Sequence, residues 1–353
     1  MTTANFPVNG PVVLDVVGTE LTEDDVRRIR HPLTGMVILF TRNYESPDQL
    51  SALTAAVHAV KPGVLIGVDH EGGRVQRFRS GFTEIPAMHA YGDLWQENPQ
   101  AATRALTAAG FVMAAELLAC GVDFTFAPVL DLDWGHSAII GERSFSRCPA
   151  AVAAMARAVT YGMMTAGMAN CGKHFPGHGS ARADSPGHGW AEADSHKALP
   201  EDERSPETIL AEDTEPYAWL GAGLVSVMTA HVLYPQWDTV PATFSRRILQ
   251  DGLRKRLGFE GLIFSDDLSM QGAKKEGGVV ERAQKALAAG CDALIICNNP
   301  AETDELLQGL KWQATEAFAE RWRRLVPRPM VGDRKNLENS ALYRRSLVDM
   351  KLS

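Results

Sequence analysis

The chain has 353 residues, 45% hydrophobic and 22% charged, and its 35 lysines and arginines against 43 aspartates and glutamates leave a formal charge of −8. That composition supports a large core and excludes intrinsic disorder; a negative balance without a basic block excludes nucleic acid as the main partner. No run approaches the ~20 apolar residues of a membrane span, residues 1–14 carry no secretory pattern, and five scattered cysteines without C-x-x-C spacing read as reduced thiols. A cytoplasmic protein with no membrane partner is expected.

In chain order, short β-branched or apolar runs at residues 12–17, 36–40, 64–68, 124–130, 168–172, 224–229, 262–265 and 293–297 predict eight strands. Between them, residues 22–30, 47–60, 101–119, 150–166, 206–220, 245–257 and 278–289 have helical period. Ser46-Pro47-Asp48 and Ser205-Pro206-Glu207 are helix starts, each a capping serine followed by proline at the first helical position. The runs lack polar alternation, as strands buried on both faces do. Length alone gives about two domains at ~150 residues each. Eight alternating units without a composition shift favour instead a single-domain α/β fold, a (β/α)8 TIM-type barrel over residues 1–326. No Gly-x-Gly-x-x-Gly follows the first run, which argues against an open dinucleotide-binding sheet. Residues 327–353 are a charged, proline-containing tail, with a final helix expected around 340–350.

A barrel carries its chemistry at the C-terminal ends of its strands, and polar clusters recur there. Asp69-His70-Glu71-Gly72-Gly73-Arg74 follows the third run and Asp131-Leu132-Asp133 the fourth; Lys173-His174 closes the fifth, His231 follows the sixth, and Ser265-Asp266-Asp267 ends the seventh. Asp266 at the mouth suits a nucleophile or charge stabiliser, the alternative being a helix cap. Asp194-Ser195-His196 sets a carboxylate two residues before an imidazole, a pairing suited to general acid/base work near neutral pH. His174, His178, His188 and His196 with Asp184 and Asp194 also permit a metal site, but no H-x-x-x-H or H-E-x-x-H helix spacing is present.

Lys-His-Phe-Pro-Gly-His-Gly with a later Asp-Ser-His, Asp-His-Glu-Gly-Gly-Arg-Val-Gln-Arg, Ile-Gly-Glu-Arg-Ser-Phe and Phe-Ser-Asp-Asp-Leu-Ser-Met occur in one order along the chain. From about residue 10 to residue 310 the sequence resembles the bacterial β-N-acetylhexosaminidases of glycoside hydrolase family 3, single-domain cytosolic enzymes of peptidoglycan recycling. The resemblance implies a (β/α)8-type barrel, no metal, and removal of terminal β-linked N-acetylglucosamine from 1,6-anhydromuramoyl (muropeptide) fragments; no cofactor is expected, and a monomer is expected although the sequence does not itself give the oligomeric state. It makes Asp266 the nucleophile, His196 the general acid/base with Asp194 orienting it, and Asp267 structural. Asp69, Arg77, Arg143, Lys173 and His174 match the positions that hydrogen-bond the sugar. Arg74 is expected in an ion pair with Glu71.

One segment departs from the family. Residues 176–185 read PGHGSARADS and 186–195 read PGHGWAEADS, identical at eight of ten positions. Family members carry one copy, followed directly by Asp-Ser-His. The first copy here ends in Asp184-Ser185-Pro186, with proline in place of the catalytic histidine, so the dyad is expected in the second copy; which Pro-Gly-His-Gly packs on the barrel stays open. A phosphorylase on the same scaffold, a catalytically impaired sugar-binding protein and a metal-dependent hydrolase are the competing functions.

Overall fold

A computed structural model describes residues 7–135, 137–181, 199–330 and 332–352. Its strands, in chain order, are β1 (Val12–Asp15), β2 (Thr34–Leu39), β3 (Leu65–Val68), β4 (His70–Gly72), β5 (Val75–Gln76), β6 (Phe124–Thr125), β7 (Cys171–Phe175), β8 (Ser226–Thr229), β9 (Leu262–Phe264) and β10 (Leu294–Ile296). All eight expected strands are present. The short antiparallel hairpin β4–β5 was not expected.

The expected strands divide into two parallel sheets rather than one continuous eight-stranded one: a five-stranded sheet ordered β10-β1-β2-β3-β6 and a three-stranded sheet ordered β7-β8-β9. Local chemistry explains both interruptions. Beyond β6 the chain runs through Pro128, which has no N–H to donate to a ladder, so the link to β7 is reduced to a few bonds: Cys171 N–H to Ala127 O at 2.8 Å, Lys173 N–H to Pro128 O at 3.2 Å and Leu130 N–H to Lys173 O at 2.7 Å. At the other edge Ser265 N–H donates to Ala293 O at 2.8 Å, while the Asp292 carboxylate takes the Ile263 N–H at 2.9 Å. A side chain there replaces a carbonyl of the neighbouring strand.

Alternate strand residues go to different cores, as period-two geometry requires. Val12 and Leu14, Val37 and Leu39, Ile66 and Val68 pack outward under the helices. Val13, Met36, Ile38, Leu65, Phe124, Cys171, Met228, Leu262, Phe264 and Ile295 form a second cluster to which both sheets contribute. Inside it Phe126 lies 5.1 Å from Phe124 and 5.2 Å from Phe264, edge to face. Trp322 and Leu325, from the helix Glu316–Arg323 and just beyond it, complete this cluster.

The helices follow the cap grammar of the sequence. Ser46 and Ser205 each accept an N–H three residues on, ahead of Pro47 and Pro206, satisfying one of the free first-turn donors. Asn98-Pro99 and Asn299-Pro300 open two more helices in the same way. The second of these, Pro300–Gly309, had no place in the expected set, although its cap signal was legible. Residues 206–220 split into Pro206–Ala211 and Glu215–Leu220. Pro99–Ala119 has the length and hydropathy to cross a membrane, yet every residue from Ala108 to Ala119 is buried against its neighbours. The tail adds Arg334–Asn339 and Ala341–Asp349. Tyr343 Oη donates to the buried Glu116 carboxylate on that long helix at 2.5 Å, and Tyr91 Oη donates to Met350 O at 3.2 Å.

His70 is buried between Phe78 and Phe82, with ring centroids 5.7 and 5.8 Å away. Burial, reinforced by Arg79 and Arg77, pushes its pKa down to about 3. Below pH 6.5 the unfolded chain therefore takes up a proton that the folded chain refuses, and stability falls with falling pH through this residue until about pH 3. In that window the loss approaches about 1.4 kcal/mol per pH unit. Thermal melts of His70→Leu against the unmodified chain from pH 7 to pH 4 are expected to show a shallower decline for the variant.

Candidate active site

Three groups of polar side chains stand at the ends of the parallel strands. The first is built by β3, the β4–β5 hairpin, β7 and the turn 141–143. Lys173, 2% exposed, reaches Asp69 Oδ1 at 2.8 Å and Glu71 Oε1 at 2.6 Å. Arg143 grips the same Glu71 with two prongs, Nε to Oε2 and Nη2 to Oε1, both 2.8 Å, the fork geometry in which arginine pairs best with a carboxylate. Arg77 Nη2 lies 3.7 Å from Asp69 Oδ2, and its guanidinium sits over the Phe40 ring. Burial opposes each charge, but the partners prevail: Arg143 and Lys173 hold Glu71 far below the usual carboxylate range, and Asp69 and Glu71 raise the Lys173 ammonium.

Asp69 and Glu71 share Lys173 because they are two apart in an extended segment and so point the same way. Arg74, three residues beyond Glu71, points outward. The expected Arg74–Glu71 pair is not formed: Arg74 donates to the main-chain oxygens of Ala138 and Ile139 and lies 3.9 Å from Glu142. The inward turn of the hairpin gives Glu71 to Arg143 and Lys173 instead.

The second group centres on Asp131, whose side chain is wholly buried. Its Oδ2 lies 2.7 Å from His174 Nδ1, and its Oδ1 accepts the His178 main-chain N–H at 2.7 Å. A carboxylate at Nδ1 fixes the imidazole's rotation and turns Nε2 away from the strand. Although burial opposes it, His174 and His178 keep Asp131 below the ordinary aspartate pKa.

The third group contains Asp266, just past β9. Its main-chain N–H donates to Thr229 Oγ1 at 3.2 Å, and Asp267 N–H donates back to its Oδ1 at 2.8 Å. Burial disfavours the charge, but the imidazoles of His231, His174 and His178 together with that N–H bring its pKa below the ordinary value, so it is ionised at neutral pH. Asp267 behaves oppositely. Burial, aided by the neighbouring Asp266 charge, lifts it to about 7 against donors from Ser269 and Cys297. It accepts Ser269 N–H and Oγ–H and Cys297 N–H, which ties the loop after β9 to the end of β10.

Asp69, Arg77, Arg143 and Lys173 thus meet through Asp69 and Glu71, His174, next in the chain to Lys173, is held separately by Asp131, and Asp266 is electrostatically coupled to His174. Asp194 and His196 lie outside the described residues. Glu71, Asp131 and His231 stood in the polar clusters at the strand ends but were given no sugar-binding or catalytic role from the sequence; the i, i+2 spacing of Asp69 and Glu71 was a further signal for Glu71. The first Pro-Gly-His-Gly copy is seated firmly in the described structure, and the second lies outside the described residues. Tyr234 Oη donates to Gly177 O at 2.6 Å, and His178 is buried. A Cβ at Gly177 would stand 2.7 Å from Asp213 Cβ, and one at Gly179 would stand 1.8 Å from Leu132 O.

The chain matches the model of the glycosyl hydrolase family 3 N terminal domain over residues 12–185 and 186–326. The chain belongs to glycosyl hydrolase family 3. It is a glycoside hydrolase of that family's bacterial β-N-acetylhexosaminidase type. The break in the family match falls at the junction of the two ten-residue copies, as a tandem duplication within one family motif requires. A beta-hexosaminidase of Bordetella parapertussis is 51% identical over 340 residues, covering 96% of this chain and 94% of that protein. Another, from Methylobacillus flagellatus, is 53% identical over 305 residues, covering 86% of this chain and 84% of that one. Among solved structures, NagZ from Neisseria gonorrhoeae in complex with N-trifluoroacetyl-D-glucosamine is 42% identical, with a TM-score of 0.88 over 97% of both chains.

Glu71 is the shared anion of two nearly buried cations, and removing one partner of such a set is strongly destabilising. Glu71→Gln is expected to lower the unfolding free energy by about 3–5 kcal/mol, measured by urea titration, while Arg74→Gln on the exposed side of the hairpin leaves it within about 0.5 kcal/mol.

Proposed function

We propose that this chain is a cytoplasmic, monomeric, retaining exo-glycosidase. Its substrates are 1,6-anhydromuramoyl (muropeptide) fragments of peptidoglycan recycling, from which it releases terminal β-linked N-acetylglucosamine. The observation that carries this reading is the place of Asp266 in a chain of family 3, just past β9 with its main-chain N–H on Thr229 and its Oδ1 accepting from Asp267, where nearby imidazoles favour its charged form. The complex of the similar NagZ with a glucosamine derivative supports a sugar in the corresponding cleft.

In this reading Asp266 attacks the anomeric carbon and forms a covalent glycosyl ester while protonated His196 donates to the leaving oxygen. Water then enters with His196 as base, and two inversions retain the β configuration. Asp194 orients His196 and raises its proton affinity. Asp69, Arg77, Lys173 and His174 hydrogen-bond the sugar hydroxyls, with Arg143 completing the grip. Arg143 gives its best geometry to Glu71, so its share in sugar binding is confined to the remaining guanidinium protons. The two sheets make one eight-stranded barrel, a reading supported by the backbone hydrogen bonds along both of their edges and by the interior cluster they share.

Asp266→Ala is expected to reduce turnover of a chromogenic β-N-acetylglucosaminide to background, with the native chain releasing the β anomer first by proton NMR. Native-like turnover in the variant, or release of the α anomer first, overturns the mechanism. The anchored first copy leaves the Asp194-Ser195-His196 turn ten residues farther from β7 than in a single-copy chain. An ångström of misplacement is worth about a hundredfold in rate. Deleting residues 176–185, which gives the second copy the anchored place, is expected to raise kcat by up to about 100-fold. Unchanged kinetics would show that the longer loop already delivers its histidine.

A further inference from the structure

Beneath the loop that bears Asp266 lies a run of hydroxyls whose hydrogen-bond directions are all determined. Thr229 closes β8, Thr243 lies in the short helical turn Ala242–Phe244, and His231 stands two residues past β8; all three are buried. His231 Nε2 is 2.9 Å from the main-chain oxygen of Asp267, and its Nδ1 is 2.9 Å from Thr243 Oγ1. Thr243 Oγ1 is 2.8 Å from Thr229 Oγ1, which accepts the Asp266 N–H at 3.2 Å.

A carbonyl oxygen only accepts, so Nε2 carries the proton. Burial lowers the pKa of His231, so the ring is neutral near pH 7 and Nδ1 is an acceptor. The single Thr243 proton therefore goes to Nδ1. Its other acceptor, Ala230 O, is farther at 3.3 Å, and choosing it would leave Nδ1 buried without a donor. Thr243 then accepts from Thr229, and Thr229, having given its proton, accepts from Asp266. Each hydroxyl gives once and receives once, the fully satisfied condition under which a buried network is rigid. The Phe244 ring lies parallel to His231 at 5.8 Å, within 15° of coplanar, and limits its rotation.

We infer that Thr243 is a positioning residue for Asp266: by donating to His231 Nδ1 and accepting from Thr229, it holds the main chain on both sides of the aspartate. From Thr243 one arm reaches the Asp267 carbonyl through His231 and the other reaches the Asp266 N–H through Thr229. The two arms fix the peptide that aims the carboxylate. The inference rests on Asp266 being the nucleophile. Its structural half, the direction of the hydrogen bonds, stands apart from that assignment.

The test joins kinetics to a tautomer measurement. Thr243→Val keeps the shape and removes the hydroxyl; Thr243→Ser restores it. The valine variant is expected to lose kcat by about 10- to 100-fold, the scale of small misplacement at a reacting group, with KM changed less than about threefold and kcat largely recovered by serine. Nitrogen-15 NMR of labelled histidine in the unmodified chain, with the His231 signal assigned by its loss in His231→Gln, is expected to show the Nε2–H tautomer. An Nδ1–H tautomer, an unchanged kcat in Thr243→Val, or equal losses in the valine and serine variants overturns the inference. Should Thr243→Val fail to fold, the serine variant and the tautomer of the unmodified chain still decide. Should Asp266→Ala retain activity while the Nε2–H tautomer is found, the glycosidase mechanism fails and the hydrogen-bond assignment survives.

Discussion

The cleft depends on one buried cation. Lys173 is almost wholly removed from water, and an ammonium in that position persists only with compensating anions. Asp69 and Glu71 supply them. Because Glu71 is held by Arg143 as well, a single carboxylate ties β7 to the β4–β5 hairpin and to the turn 141–143. Such a set adds little net stability over an apolar core of equal volume, so its value is geometric. It fixes several charged groups beside one another at the strand ends, the kind of arrangement that the proposed binding of a polyhydroxylated ring calls for.

The carboxylates of the site divide by environment into those that stay ionised and one that does not readily do so. Asp131, Glu71 and Asp266 are each held below the ordinary range by cations, imidazoles or N–H donors, whereas Asp267 titrates near 7 beside the charge of Asp266. Two adjacent aspartates thus differ in character through their surroundings alone. Asp266 is influenced by nearby imidazoles that favour its charged form; Asp267 serves as an acceptor for Ser269 and Cys297. That difference supports the proposed roles, Asp266 as nucleophile and Asp267 as structural.

The ten-residue duplication sits, in sequence, between the Lys173-His174 strand and the Asp194-Ser195-His196 motif. Closure entropy is a small matter, since it grows only logarithmically with loop length. Position is the larger one. Gly177 and Gly179 of the first copy meet neighbours too close for any side chain, so the first copy is seated by sterics, while the proposed acid/base His196 follows the second copy in sequence.

The sequence by itself determined the eight strands, most helix starts and the family, because period, capping chemistry and contiguous motifs are local. Ser-Pro and Asn-Pro starts act within one helical turn, and Lys-His-Phe-Pro-Gly-His-Gly is legible as a string. Only the tertiary structure decided which charges meet. Arg74 and Arg143 are both arginines beside plausible acids, and the inward face of the hairpin, not spacing, assigns Glu71 to Arg143. Asp131 and His231 were legible as polar residues at strand ends, but their partners and the Thr229–Thr243–His231 chain were not: those partners are 12 to 47 residues away along the chain, and burial on the strand ends is what brings them together.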